Sequence, residues 1–335
     1  MPDHRLLFLG RAEVAAIADA DPHLCLRAID RALRLHAERA TVQPLKPYLR
    51  WRGEANHVAD RIIAMPAYLG GDRPAAGLKW IGSRHDNPTA RGIDRASAIT
   101  VLNDPETHWP IAILEGALLS AERTAAVTAV AARHLARPDF ACLACIGCGP
   151  IGRSQVRALL AEFPAVREVR LFDLRREAAE AAAAAWHGSA ARFVVVESAE
   201  AAVRGAEVVV TATVAERPWL PYSWLRPGAF VANVSIQDVH EEVFLRADKV
   251  VVDDWDQCNR EGKVIHRLVE SGRFSRERLH AELGEIVAGT RPGRERPDEI
   301  VLLNPMGMAI EDIACAQAIY EAALEKGAGT WLTLC

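Results

Sequence analysis

From residue 138 to residue 304, short apolar runs alternate with stretches of helical periodicity. Residues 142–146, 168–173, 192–196, 207–213, 229–234, 249–252 and 300–304 read as strands. Run 207–213 is almost wholly apolar, as expected of a strand covered on both faces. Residues 154–163 and 198–204 have helical spacing, and 178–185 is an alanine-rich helix former. Strands alternating with helices in this way predict a doubly wound parallel sheet.

Before residue 138 the pattern is different. A short strand near Leu6 leads into a helix that reaches Ala18, and Pro22 starts a second helix running to about Ala40. Leu26, Ile29, Leu33 and His36 share one face of that second helix. Residues 43–50 carry Pro44 and Pro47 and predict extended or edge structure. Residues 62–68, 77–82, 96–103 and 109–116 read as strands, the last two an antiparallel pair across Asp104-Pro105. Residues 120–135 predict a helix with Ser120 as its N-cap, closed by Pro138. A long helix spans 307–325.

The first strand of the parallel set runs into Gly147-Cys148-Gly149-Pro150-Ile151-Gly152. In such a loop the first glycine makes the tight turn and the second admits a pyrophosphate to the backbone. The third lets helix and strand pack closely. The helix that follows offers free N–H groups and a positive dipole end to phosphate. Asp173 ends the next strand, where a ribose-binding carboxylate belongs. Strand, glycine loop, helix and acid together predict dinucleotide binding. The plain alternative is an ordinary turn beside a surface aspartate. A carboxylate accepts from both ribose hydroxyls and repels a 2′-phosphate, so NAD is favoured over NADP. Arg175 and Arg176 lie just beyond and would partly offset that repulsion.

Composition narrows the class further. Of 335 residues, 50% are hydrophobic and 25% charged, as in a water-soluble globular protein of two ordinary domains. The net charge of −4 suggests neither nucleic acid nor a membrane surface as partner. No run approaches a membrane span and no signal peptide is evident, so a cytoplasmic location is expected. Cys142, Cys145 and Cys148 form a C-x-x-C-x-x-C run that could suggest a metal site. The run lies within the strand and turn expected to bind the nucleotide, and no fourth ligand follows at a useful spacing. Packing cysteines, with no metal, are the expectation.

Several blocks resemble the ornithine cyclodeaminase/mu-crystallin family over nearly the whole chain. They are Gly77-Leu78-Lys79, Ser120-Ala121-Glu122-Arg123-Thr124-Ala125-Ala126, the glycine loop, Asn233-Val234, Gly284-Glu285-Ile286-Val287-Ala288-Gly289 and Gly307-x-x-x-Glu311-Asp312. The resemblance implies a homodimer and an α/β fold. In it, a Rossmann-type NAD domain, residues 138–304, is inserted into a discontinuous α+β substrate and dimerisation domain, 1–137 plus 305–335. Lys79-Trp80-Ile81-Gly82-Ser83, Arg95-Ala96-Ser97-Ala98 and Ser235-Ile236-Gln237-Asp238 resemble the branch that releases L-2,3-diaminopropionate for siderophores and peptide antibiotics. That branch oxidises N-(2-amino-2-carboxyethyl)-L-glutamate with NAD⁺, and water then splits the imine.

The resemblance assigns Lys79 and Arg123 to a substrate carboxylate, Lys79 also standing in the catalytic set. A guanidinium grips a carboxylate bidentately, which suits Arg123. Arg123 is expected in the first turn of its helix, where a cation is unfavourable unless it has a function. The alternatives are a salt bridge to Glu122 or Glu115, and for Lys79 the exposed face of an edge strand. Arg95 stands where cyclodeaminases carry a neutral hydroxyl residue. It would repel the amine arm of ornithine and hold an extra carboxylate. Lys46 and Arg50 are further candidates for that patch. Asp238 is the candidate acid/base, one residue later after Asn233-Val234 than in cyclodeaminases. Its alternative role is a helix N-cap before Glu241 and Glu242. Pro150, Ile151, Thr211, Ala212, Thr213, Ser235 and Met306 complete the expected cofactor-binding set beside the three glycines and Asp173. A polycarboxylate amino acid is the expected substrate.

Overall fold

The computed structural model describes residues 4–51, 60–235 and 237–334. Ile236, within the Ser235 to Asp238 motif, lies outside the described residues. The chain forms two compact units, one of Met1–Arg123 with Met308–Cys335, the other of Thr124–Gly307. The division falls inside the helix Gly116–Leu135, upstream of Pro138.

The first unit is built on one mixed sheet. Its strands run in the order Thr330–Thr333, Arg5–Leu9, Pro110–Glu115, Ala96–Asn103, Ala75–Ser83, Arg61–Leu69 and Thr41–Val42, with Tyr48–Leu49 also paired to Arg61–Leu69. The helix Ala309–Lys326 packs on three of these strands and on the helix Leu24–Ala37. Strand alternation sends Met65, Ala67, Leu69, Ala75, Lys79, Thr100, Leu102, Ala112 and Leu114 inward, where all are buried. Tyr68, Trp80 and Ile99 lie on the opposite face and stay exposed. Gly77 lets the last helix approach. A Cβ there would stand 2.3 Å from the Val101 carbonyl oxygen and 2.9 Å from Ile313 Cδ1.

The second unit is a parallel sheet in the order Arg192–Val195, Glu168–Phe172, Cys142–Ile146, Val208–Thr211, Phe230–Asn233, Val301–Leu303, Lys249–Val252 and Ala281–Glu282. The predicted doubly wound sheet is therefore present. Its last long-range strand, Val301–Leu303, inserts between two earlier ones, an order that periodicity does not encode. Val209, Val231, Val250, Phe244 and Leu302 belong to the apolar cluster on one face. No helix among the described residues is long and apolar enough to cross a membrane.

Some local expectations change. The helix expected from Ser120 starts at Gly116, and Glu115 caps it by accepting from the N–H groups of Ala117 and Leu118 at 3.0 and 2.9 Å. Arg123 therefore sits well inside the helix, and the unfavourable-dipole argument for it falls. Pro22 precedes its helix, which begins at Leu24 after His23. The C-terminal strand Thr330–Thr333 has no clear sequence signal, because all four of its residues are exposed.

Candidate active site

The nucleotide loop sits at the carboxyl end of the strand Cys142–Ile146, and Pro150 opens the helix Pro150–Glu162. Gly147 has φ +95°, and a Cβ there would meet the Ala212 carbonyl oxygen at 2.5 Å. A Cβ on Gly152 would lie 1.9 Å from the Gly147 carbonyl oxygen, so only glycine closes this turn. Gly149 differs: its Cβ would meet nothing within 4 Å. That open backbone at a helix N-terminus, followed by Pro150, Ile151 and Gly152, is what a pyrophosphate requires. Asp173 is half-buried, and its carboxylate accepts from the N–H of Cys148 at 2.9 Å and of Arg175 at 3.0 Å. It is thus tied to the loop rather than lying on the surface unengaged. Arg176 pairs with Glu180 and Glu197. The residues present fit NAD.

The remaining expected cofactor residues lie at neighbouring strand ends. Thr211 Oγ1 donates to Asn233 Oδ1 at 2.9 Å, and Asn233 Nδ2 donates to Asn304 Oδ1 at 2.6 Å. Ala212 follows, its N–H on the Ile146 carbonyl. The Met306 N–H donates to both carboxylate oxygens of Asp253 at 3.0 and 2.9 Å, and the Gly307 N–H to one of them at 2.5 Å. Thr211, Asn233, Asn304 and Asp253 are all buried and form one polar row across four adjacent strands. Ligands of open α/β sheets gather along this edge. Sequence reasoning missed Asn233, Asn304 and Asp253 as a set, because strand order alone makes them neighbours.

Asp238 is fully buried in the same unit. Thr213 Oγ1 donates to its Oδ1 at 2.5 Å, and the Thr213 N–H reaches Ser235 Oγ at 2.7 Å. Burial raises its carboxyl above the ordinary aspartate range, while bonds from Ser235, Thr213 and Trp219 pull it back. The Asp238 carbonyl accepts from the N–H groups of Trp219 and Leu220, each at 2.9 Å. It caps no helix: His240 precedes the helix Glu241–Arg246. A carboxylate held rigidly and easier to protonate suits proton transfer.

The cationic cluster belongs to the first unit. Lys79 lies on an interior strand, not an edge, and is 1% exposed. Its Nζ donates to Asp312 Oδ1 at 2.8 Å and to Ser120 Oγ at 3.2 Å. Arg123 Nη1 meets Glu311 Oε2 at 2.6 Å, and its Nε meets Asp312 Oδ1 at 2.9 Å. Both of these bonds run to the helix Ala309–Lys326. Burial, reinforced by the Arg123 charge, lowers the Lys79 ammonium to about 8 against the upward pull of Asp312 and Glu311. Asp312 Oδ2 is buried and finds no hydrogen bond among the described residues. An unsatisfied buried acceptor costs about 1–3 kcal/mol. Two consecutive acids in the otherwise apolar first half of the helix Ala309–Lys326 were the signal for this cluster.

Arg95 is partly buried just before the strand Ala96–Asn103. Burial disfavours its charge, and Asp60 partly compensates. Lys46 is buried, whereas Arg50 is exposed with its guanidinium 4.8 Å from the Tyr48 ring centroid. Tyr48 pairs with Ile63, so the Arg50 segment lines the strand Arg61–Leu69. The structure brings Lys79 and Arg123 together through a shared acid, Asp312.

The cysteine triplet is divided by the strand itself. Cys142 and Cys145 are three positions apart on one strand and point to opposite faces. The Cys145 thiol faces the Gly147 and Gly152 carbonyls, and that of Cys148 faces the Phe172 carbonyl. Burial raises both thiols, Cys148 to about 12. Neutral packing thiols of this kind make poor metal ligands.

The chain is similar to known proteins over nearly its whole length. The chain is 49% identical over 334 residues, 99% of each chain, to the N-((2S)-2-amino-2-carboxyethyl)-L-glutamate dehydrogenase of Staphylococcus aureus (strain NCTC 8325 / PS 47). An archaeal alanine dehydrogenase dimer with bound NAD superposes with a TM-score of 0.88 at 32% identity, covering 99% of this chain and 100% of that one. The Thermococcus litoralis Δ¹-pyrroline-2-carboxylate reductase in complex with NADH and L-proline also gives 0.88, at 29% identity and 97% and 99% coverage. The profile of the ornithine cyclodeaminase/mu-crystallin family matches residues 9–327. This chain belongs to the ornithine cyclodeaminase/mu-crystallin family and is one of its NAD-dependent amino-acid dehydrogenases.

Proposed function

We propose that the protein oxidises N-(2-amino-2-carboxyethyl)-L-glutamate with NAD⁺ and hydrolyses the product to 2-oxoglutarate and L-2,3-diaminopropionate. The observation that carries this reading is Arg95. Its guanidinium is partly buried at an energetic cost, and among the described residues only the Asp60 field compensates it. A third cation in the unit that holds Lys79 and Arg123 suits a substrate with more than one carboxylate. It opposes one with a cationic arm, such as ornithine. The Staphylococcus aureus relative bears the name of this activity.

NAD⁺ would supply the hydride acceptor. Lys79 and Arg123 hold the α-carboxylate of the glutamate moiety, and Arg95 holds a further carboxylate, with Lys46 and Arg50 as additional cations. Asp238 takes the proton of the secondary amine as the Cα–H bond gives up its hydride and the C=N bond forms. It then orients the water whose oxygen ends in 2-oxoglutarate, while the amine leaves as diaminopropionate. This product fits siderophore or peptide-antibiotic synthesis. We further read the active form as a homodimer in the cytoplasm. The sheet face bearing Tyr68, Trp80 and Ile99 stays exposed in one copy, and the archaeal relative is a dimer.

The test is NADH formation on adding the purified substrate to enzyme and NAD⁺, with 2-oxoglutarate and diaminopropionate assayed as products. Turnover of ornithine to proline, with none of the polyacid, would overturn the assignment.

A further inference from the structure

We propose that Asp312 is a positioning residue: its Oδ1 accepts from both Lys79 Nζ and Arg123 Nε and so sets the spacing and charge of the pair that grips the substrate. The distances are 2.8 and 2.9 Å, and Lys79 and Asp312 are 1% and 0% exposed. The inference rests on the reading of Lys79 and Arg123 as carboxylate ligands.

Three separate segments meet at this one oxygen: the strand Ala75–Ser83, the helix Gly116–Leu135 and the first turn of the helix Ala309–Lys326. An ammonium and a guanidinium repel each other when brought together without water. A carboxylate oxygen between them makes their proximity tolerable and fixes their relative positions. Glu311 completes the balance from the Arg123 side at 2.6 Å. Asp312 Oδ2 has no hydrogen bond among the described residues.

The groups facing Lys79 are Arg123, Asp312 and Glu311, with the Ser120 hydroxyl as a further acceptor. The Cys315 thiol lies in the field of Asp312 and Arg123 beside Cys25, and burial keeps it protonated. Of these, Asp312 and Glu311 hold the ammonium up, against burial and Arg123. Removing the Asp312 charge should therefore move Lys79 below its value of about 8.

The experiment titrates ε-¹³C-labelled lysines by NMR in wild type and Asp312→Asn, with Lys79→Met to assign the resonance. KM and kcat for N-(2-amino-2-carboxyethyl)-L-glutamate are measured across the same pH range. In Asp312→Asn the Lys79 midpoint should fall, and the alkaline rise in KM should move to lower pH with it. KM near neutrality should increase about tenfold or more, the scale for breaking a buried charge pair, while NAD⁺ affinity holds. Asp312→Glu keeps the charge, so it should restore the midpoint, and it serves alone should the asparagine variant not fold. A Lys79 midpoint unmoved in Asp312→Asn, or displaced equally by Asp312→Glu, would overturn the proposal. Wild type inactive on the substrate, with the midpoint still shifting, would sink the substrate assignment and leave the positioning role standing.

Discussion

The Thr213 hydroxyl donates to Asp238 Oδ1 at 2.5 Å, while the Thr213 N–H sits on Ser235 Oγ. This contact opposes the burial that raises the Asp238 carboxyl. In Thr213→Val the hydroxyl is gone and the carboxyl should rise further. If Asp238 is the base, activity depends on its ionised form, so the acid limb of kcat/KM should shift to higher pH. Thr213→Ser should keep the wild-type limb. Stability carries the same sign. A raised aspartate binds its proton more tightly folded than unfolded, so its contribution falls as pH climbs from the ordinary value through the folded one. A pH profile identical in wild type and Thr213→Val would separate Thr213 from the chemistry.

The glycine loop separates stability from binding. Gly149→Ala places a methyl where nothing lies within 4 Å, so the fold should tolerate it. The methyl occupies the space a pyrophosphate needs, and NAD⁺ affinity should fall by about tenfold or more, or about 1.4 kcal/mol. Gly152→Ala forces a methyl to 1.9 Å from the Gly147 carbonyl oxygen and should lower the melting temperature itself. Thermal melts with and without NAD⁺ distinguish the two. An unaffected NAD⁺ affinity in Gly149→Ala would place the phosphates elsewhere.

Why was the nucleotide half so legible? Its signals are local: a strand, three glycines within six residues and a helix start are contiguous, and Asp173 ends the very next strand. Strand order was not legible, since Val301–Leu303 pairs between strands that precede it by dozens of residues. The cationic cluster divides in the same way. Lys79 and Arg123 drew attention through a family resemblance, but their shared acid comes from a helix near the other end of the chain. Helix starts misled as well. Ser120 is a favoured cap residue, yet Glu115 supplies the cap and Ser120 instead accepts from Lys79.

Asp173 should discriminate between the two nicotinamide dinucleotides. Its oxygens are anchored by the Cys148 and Arg175 amides, which fixes the carboxylate against movement away from a 2′-phosphate. NAD⁺ should bind at least about tenfold more tightly than NADP⁺, or about 1.4 kcal/mol. In Asp173→Ser that preference should shrink. Fluorescence titration of both cofactors on both proteins measures it. Equal affinities in wild type would mean that Arg175 captures the 2′-phosphate.

Lys79 predicts opposite pH trends for stability and for substrate binding. Its folded value of about 8 lies below the ordinary 10.5. Between the two, the unfolded chain holds a proton that the folded one has released, so this group makes stability rise with pH in that window. Carboxylate binding needs the ammonium and should weaken as pH passes 8. Lys79→Met should remove the alkaline rise in KM and raise KM at neutral pH. Denaturant melts and KM values across the alkaline range test both. Binding that strengthens above pH 8 would show that Lys79 does not serve as a cation.

Arg95 offers the sharpest separation of this activity from others in the family. Arg95→Thr removes a charge that burial disfavours, so the folded protein should not be weakened much. Asp238, Thr213 and the glycine loop belong to the other unit, and NAD⁺ affinity should be unchanged. A hydrogen bond to a charged group contributes about 1.5–3 kcal/mol, so kcat/KM for N-(2-amino-2-carboxyethyl)-L-glutamate should fall about tenfold to a hundredfold. A substrate lacking the second carboxylate should lose less, and the penalty on a cationic arm should ease. Measuring the polyacid and ornithine on wild type and variant gives four rates, and the argument requires their ratio to move toward ornithine. A ratio that stays fixed, with both rates reduced alike, would make Arg95 a structural partner of Asp60 and remove it from the substrate site.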